Sequence, residues 1–247
     1  MSREVLLFAS AVQFLTRLPI GTHCWESDRL ARASRYFALT GAMVGAIAGT
    51  VWWVGSDVLP AAVAAGLAIL TGVLVTGALH EDGLADTADA LGGHADRDKA
   101  LEIMRDSRIG TYGMVAVALS LALRWASLAA LTPSTGVLAL IAAGATGRAM
   151  MVPVTRIAGY ARPSGLGEMV EDGARSVEIL FALGTTAAFC LLLGFSALWA
   201  LVLAGAVGWL VLRAQLRRVG GYTGDGLGAI AHVGETAALI TFAGLFA

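Results

Sequence analysis

Seven apolar stretches recur along this chain, and the basic residues between them collect in every second connection. The stretches cover approximately residues 37–57, 61–79, 114–131, 136–155, 179–195, 198–212 and 228–246. A helix needs about 20 apolar residues to cross the hydrocarbon core of a bilayer. The segment before the first stretch carries Arg3, Arg17, Arg29, Arg32 and Arg35. Arg97, Lys99, Arg105 and Arg108 lie between the second and third, and Arg156, Arg162 and Arg175 between the fourth and fifth. Arg213, Arg217 and Arg218 lie between the sixth and seventh. The opposite connections, near Ser56–Pro60, Thr132–Gly136 and Phe195–Ala197, contain no basic residue. Basic residues mark the cytoplasmic side. One topology accommodates them all: cytoplasmic N-terminus, seven spans, and an external C-terminus.

Composition agrees. Hydrophobic residues make up 57% of the 247 and charged residues 14%, with a mean hydropathy of +0.75. A soluble domain is usually about 45–50% apolar and about 25% charged. The expected fold is therefore all-α: a polytopic transmembrane bundle of about seven spans with acidic cytoplasmic loops, forming one domain over residues 1–247. Its 31 glycines suit close helix contacts. The net charge of −1 offers nothing to nucleic acid. Cys24 and Cys190 lie at different expected depths and are read as free thiols. Residues 1–21 have only a short apolar core, followed by more arginines, and read as a retained amphipathic or re-entrant helix.

The acids also favour one side. Of 18 Asp and Glu residues, only Asp57 and Glu235 lie outside the segments expected to be cytoplasmic. After the second stretch, Asp82, Asp86 and Asp89 follow an i, i+4, i+7 spacing. On a helix they fall within about 60° of one another. Three like charges on one stripe repel unless a cation lies among them. Hard oxygen donors without His or Cys point to Mg²⁺ or Mn²⁺. Glu81 and Asp106 are further carboxylates assigned to this metal group. Asp96, Asp98 and Lys99 read as a solvated face.

Arg105 and Arg108 stand one turn apart around Asp106. Guanidinium forks match phosphate oxygens, so the two are expected to bind substrate. A basic membrane anchor with a surface ion pair is the alternative, but beside an acidic stripe the pairing resembles a diphosphate site: carboxylates for metal, arginines for free oxygens. The run Gly220–Gly228 contains Asp225, a further substrate-binding candidate, and lacks the ending of a P-loop. Its Asp225-Gly226-Leu227 faintly echoes Asp82-Gly83-Leu84. Glu235 would sit about 10 Å into the seventh stretch by helical rise. A carboxylate at that depth is a functional candidate, and pairing with Arg124 or Arg148 is the structural alternative. His232, one turn earlier, is either its partner or interfacial.

These residues resemble the cobalamin synthases (adenosylcobinamide-GDP ribazoletransferases). The resemblance rests on FLTRLPI at 14–20, SRYF at 34–37, EDGLADTADALGG at 81–93, LEIMRDSRIGTYG at 101–113, YARPSGLG at 160–167 and GGYTGDGLGA at 220–229. His94 stands where the family often has a third glycine. The resemblance implies a Mg²⁺-dependent, multi-pass enzyme of the bacterial inner membrane, surrounded by lipid. It implies transfer of α-ribazole, or its 5′-phosphate, onto adenosylcobinamide-GDP with release of GMP. On that reading Asp82 and Asp86 hold metal, the arginines hold phosphate oxygens, and Asp89 or Glu235 accepts the ribazole proton, with His232 nearby. Oligomeric state is left open. Two other readings compete: a membrane transferase of the CDP-alcohol phosphotransferase or aromatic prenyltransferase kind, and a cation-coupled transporter. The first expects a second downstream aspartate pair that is not intact here. The second expects acids near the bilayer midplane.

Overall fold

The computed structural model describes residues 2–20, 27–93, 96–162 and 173–247, and these are built of helices joined by short connections. Cys24, His94 and Pro163–Gly167 of the quoted motifs lie outside the described residues. The helices are α1 (Arg3–Leu15), α2 (Ser27–Ala33), α3 (Phe37–Ser56), α4 (Ala61–Thr76), α5 (Leu79–Gly92), α6 (Arg97–Ile103), α7 (Thr111–Ala129), α8 (Pro133–Ile157), α9 (Ser176–Leu191), α10 (Trp199–Val219) and α11 (Gly224–Phe246).

Each of the seven expected stretches coincides with a helix, but they are not seven equal spans. Five helical segments are long and apolar enough to cross a membrane: Arg29–Ser56, Thr111–Ala129, Pro133–Ile157, Phe195–Val219 and Gly224–Phe246. The sixth stretch, read as 198–212, is the longer segment Phe195–Val219. α9 has only 16 residues, which gives about 24 Å of helix. α4 qualifies only together with α5, and the two are bent by 87°. Gly77 and Ala78 make the bend. Both are left-handed, with φ of 68° and 60°, and Ala78 is the one non-glycine residue with positive φ among the described residues.

α8 is the central helix. From Gly144 to Val152 every residue is buried, and small side chains dominate that run. Its crossing with α3 is set by Gly41 and Gly144. A Cβ on Gly41 would collide with the Gly144 carbonyl. Without a hydrophobic drive between helices in lipid, such backbone approach supplies the packing. The outer faces carry Leu70, Leu119, Leu180, Trp199 and Leu210, each at least half exposed. Large apolar side chains exposed in this number suit a lipid surround.

The expected basic connections come together at one end of the bundle. Arg97 donates to Ala161 O and Val219 O, both at 3.1 Å, and Arg218 donates to Gly93 O at 2.9 Å. Tyr222 N donates to Gly159 O, and Ala161 N donates to Tyr222 O. Gly93, Arg97 and the segments 159–162 and 218–222 therefore form one surface.

Candidate active site

The bend at Gly77–Ala78 turns α5 onto α7 and α11. It packs tightly on α11 at Gly83, where a Cβ would stand 2.6 Å from Asp225 O and 3.1 Å from Gly228 Cα. Only glycine fits there. The two Asp-Gly-Leu stretches thus lie against each other, which gives their faint sequence echo a spatial meaning. Asp82 and Asp225 line one cavity of about 250 Å³ together with Phe14, His80, Tyr160 and Arg162.

Four carboxylates gather here. Asp86 is within electrostatic reach of Asp82, Asp225 and Asp89, and Arg162 acts on it in the opposite sense. Asp225 accepts a 2.6 Å ion pair from Arg162. Asp82 is exposed and Asp86 half-buried, and neither has a hydrogen bond or ion pair among the described residues. Asp89 differs. Its oxygens accept the amides of Gly110 at 2.7 Å and Gly113 at 2.9 Å. Gly110 is the N-cap of α7 and has no side chain to cap with, so α5 supplies the acceptor. Asp89 is thus the stripe carboxylate already engaged by protein donors.

Among the described residues, no group of three or more His, Cys, Asp or Glu side chains is arranged to hold a metal ion unaided. Mg²⁺ is commonly bound by one or two carboxylates, several waters and substrate phosphates. The all-oxygen donors Asp82 and Asp86, without protein partners, fit that mode.

The arginines are distributed differently from the expected fork. Arg108 closes bidentately on Asp106, with Nη2–Oδ2 at 2.6 Å, and its side chain is 87% exposed. The Arg108 guanidinium holds the Asp106 carboxyl down at about 2. Asp106 answers to Arg108 and Lys99 rather than to the stripe, so it is not gathered with Asp82 and Asp86. Arg105 lines an open groove of about 550 Å³ with Arg97, Glu102 and Arg162. Arg162 also lines the cavity containing Asp82 and Asp225. In the sequence Arg162 stands out only as a basic residue of one connection. Its signal was its place in the YARPSGLG stretch. A parallel bridge between Tyr160 and Tyr222, with ring centroids 5.4 Å apart, ties that stretch to the Gly-rich loop.

Glu235, His232 and Glu81 belong to a separate buried cluster. Glu235 pairs with both Arg124 and Arg148, so the structural alternative is realised twice over. Arg124 also lies 3.5 Å from Glu81 Oε1, and His232 Nδ1 lies 3.4 Å from the same oxygen. Ser120 Oγ is 2.7 Å from His232 Nε2. Arg148 Nη2 reaches His80 Nδ1 at 3.5 Å. Two acids face two arginines, which balances the charge that burial would otherwise penalise. The cluster ties α5, α7, α8 and α11 together. Glu81 therefore points away from Asp82, its sequence neighbour. Cys190 is buried and unbonded to sulfur.

The chain matches the CobS family model, described as cobalamin-5-phosphate synthase, over residues 7–243. It is similar to curated proteins named adenosylcobinamide-GDP ribazoletransferase. One from Bradyrhizobium diazoefficiens is 44% identical over 94% of this chain and 91% of that protein. One from Shewanella frigidimarina is 38% identical over 94% and 92%, and one from Shewanella amazonensis 40% identical over 94% and 93%. No solved structure matches the chain.

Proposed function

This chain belongs to the cobalamin-5-phosphate synthase family, and from that premise we propose that it joins α-ribazole, or its 5′-phosphate, to adenosylcobinamide-GDP. GMP leaves, and adenosylcobalamin or its 5′-phosphate forms. The reaction depends on Mg²⁺ and takes place in the bacterial inner membrane, with the acidic end of the bundle and the N-terminus facing the cytoplasm. The observation that carries this reading is one cavity lined by two facing aspartates, Asp82 and Asp225, and a guanidinium, Arg162. Carboxylates for a metal and an arginine for free oxygens are what a diphosphate requires.

The chemistry is phosphoryl transfer. A ribazole hydroxyl attacks the phosphorus on the corrinoid side of the diphosphate. A new P–O bond forms, the P–O bond to GMP breaks, and GMP takes the electron pair. Mg²⁺, when bound by Asp82 and Asp86, supplies neutralisation of the diphosphate and of the departing phosphate. Arg162 binds non-bridging oxygens and holds Asp225 in place. Arg105, in the adjoining groove, receives the nucleotide phosphate. Asp89 aligns α5 with the start of α7, and so keeps the stripe at a fixed distance from the loop bearing Arg105. Asp89 and Glu235 have their oxygens engaged by protein donors, so neither is free to take the hydroxyl proton.

Purified protein in detergent or liposomes, given adenosylcobinamide-GDP and α-ribazole 5′-phosphate, releases GMP as Mg²⁺ is titrated in. Absence of GMP release at every Mg²⁺ concentration contradicts the assignment. Release that persists in chelator removes the metal from it.

A further inference from the structure

His80 is not assigned a role by the reaction above, yet its position is unusual. It is 2% exposed, it lines the cavity of Asp82, Arg162 and Asp225, and its Nε2 has no hydrogen-bond partner among the described residues. The opposite ring nitrogen, Nδ1, meets Arg148 Nη2 at 3.5 Å. A guanidinium has only donors. Nδ1 must therefore accept, which puts the proton of the neutral ring on Nε2. Arg148 is in turn held by Glu235. The buried pair thus fixes the tautomer, as outer partners do for metal-bound and catalytic histidines. What remains is a buried N–H donor, on a residue that lines a cavity of about 250 Å³, with no acceptor among the described residues. Leaving such a group unmet costs stability, and Arg162, which lines the same cavity, is a further donor for anionic oxygen.

We propose that the His80 Nε2–H donates a hydrogen bond to a non-bridging phosphoryl oxygen of the bound diphosphate, and that the Glu235–Arg148 pair exists to hold the ring in that tautomer. The proposal rests on the phosphoryl-transfer reading above. His80 supplies a fixed dipole where charge is redistributed in the transition state, the role of an oxyanion-hole donor. It also gives the buried cluster of α8 and α11 a connection to the cavity, through one side chain on α5.

Glutamine and asparagine separate this from a packing role. The Gln side-chain amide overlays Nε2 of histidine, whereas that of Asn overlays Nδ1. His80→Asn should lower kcat roughly 10²-fold, the loss typical of one such donor, with KM near the wild-type value. His80→Gln should recover most of that loss, while both variants keep the wild-type unfolding temperature in detergent. Equal activity of the two variants, or a loss that follows unfolding, overturns the proposal. A second measurement needs no variant. In wild-type protein labelled with ¹⁵N-histidine, the His80 shifts should report the Nε2–H tautomer, and inorganic pyrophosphate should move the Nε2 resonance. An Nδ1–H tautomer, or an Nε2 unmoved at saturating pyrophosphate, also overturns it. A wild-type protein that releases no GMP would instead sink the functional reading, so the two failures are told apart.

Discussion

Arg162 donates to Asp225 at 2.6 Å across 63 residues of sequence, and this contact sets a cation opposite Asp82 in a single cavity. The pair is only partly exposed, with side chains 12% and 23% accessible. It organises the site more than it stabilises the fold. Arg162→Lys keeps the charge but loses the fork. We expect a fall in kcat/KM of at least about tenfold, equivalent to roughly 1.4 kcal/mol of transition-state binding. Arg105→Lys should act in the same direction. Arg108→Lys should change little, since Arg108 faces solvent and holds only Asp106. Steady-state kinetics of the three variants check this, and an equal loss in Arg105→Lys and Arg108→Lys would restore the fork of Arg105 and Arg108.

Asp82→Asn and Asp86→Asn remove charge without removing bulk. Both should insert and fold normally, because the mutual repulsion of the stripe is relieved. Both should lose Mg²⁺-dependent GMP release by orders of magnitude. Asp96→Asn is the control: Asp96 caps α6 through Lys99 N at 2.9 Å, and asparagine caps equally well. Unchanged Mg²⁺ titration curves for the first two would remove the stripe from the metal site.

Asp89→Ala should behave differently from its neighbours on the stripe. It leaves the amides of Gly110 and Gly113 without their acceptor, at a cost of about 1–2 kcal/mol. Asp89→Asn, which still offers one oxygen, should lose less. Thermal unfolding in detergent gives the comparison. Full stability of Asp89→Ala alongside abolished turnover would return Asp89 to the chemistry.

Glu235→Gln removes the carboxylate paired with Arg148 and leaves Arg124 with Glu81. Breaking a buried pair in this way costs roughly 3–5 kcal/mol. The unfolding temperature should drop well below that of the wild type. A variant as stable as wild type but inactive would mark Glu235 as a direct participant in proton transfer.

The sidedness can be checked in a chain with Cys24 and Cys190 replaced. A cysteine at Ser107 should react only from the cytoplasm, and one at Ser134 only from outside, with an impermeant maleimide on intact cells. Reaction at Ser107 from outside contradicts the basic-side topology.

Much of this molecule is legible in consecutive residues. Apolar runs and arginine placement give the seven helices and the basic end of the bundle, because transfer into lipid is decided segment by segment. The i, i+4, i+7 stripe is likewise a property of one helix. The bend at Gly77–Ala78 is not, since a left-handed alanine has no sequence signature. It sets α5 at 87° to α4 and packs it between α7 and α11. Nor does the sequence decide between function and pairing for Glu235, whose partners lie 111 and 87 residues away. Arg162 becomes a site residue only when Asp225 comes to meet it. Periodicity fixes which face of a helix a carboxylate occupies. Which guanidinium it meets depends on how helices cross, and small residues such as Gly41 and Gly83 set those crossings by letting backbones touch.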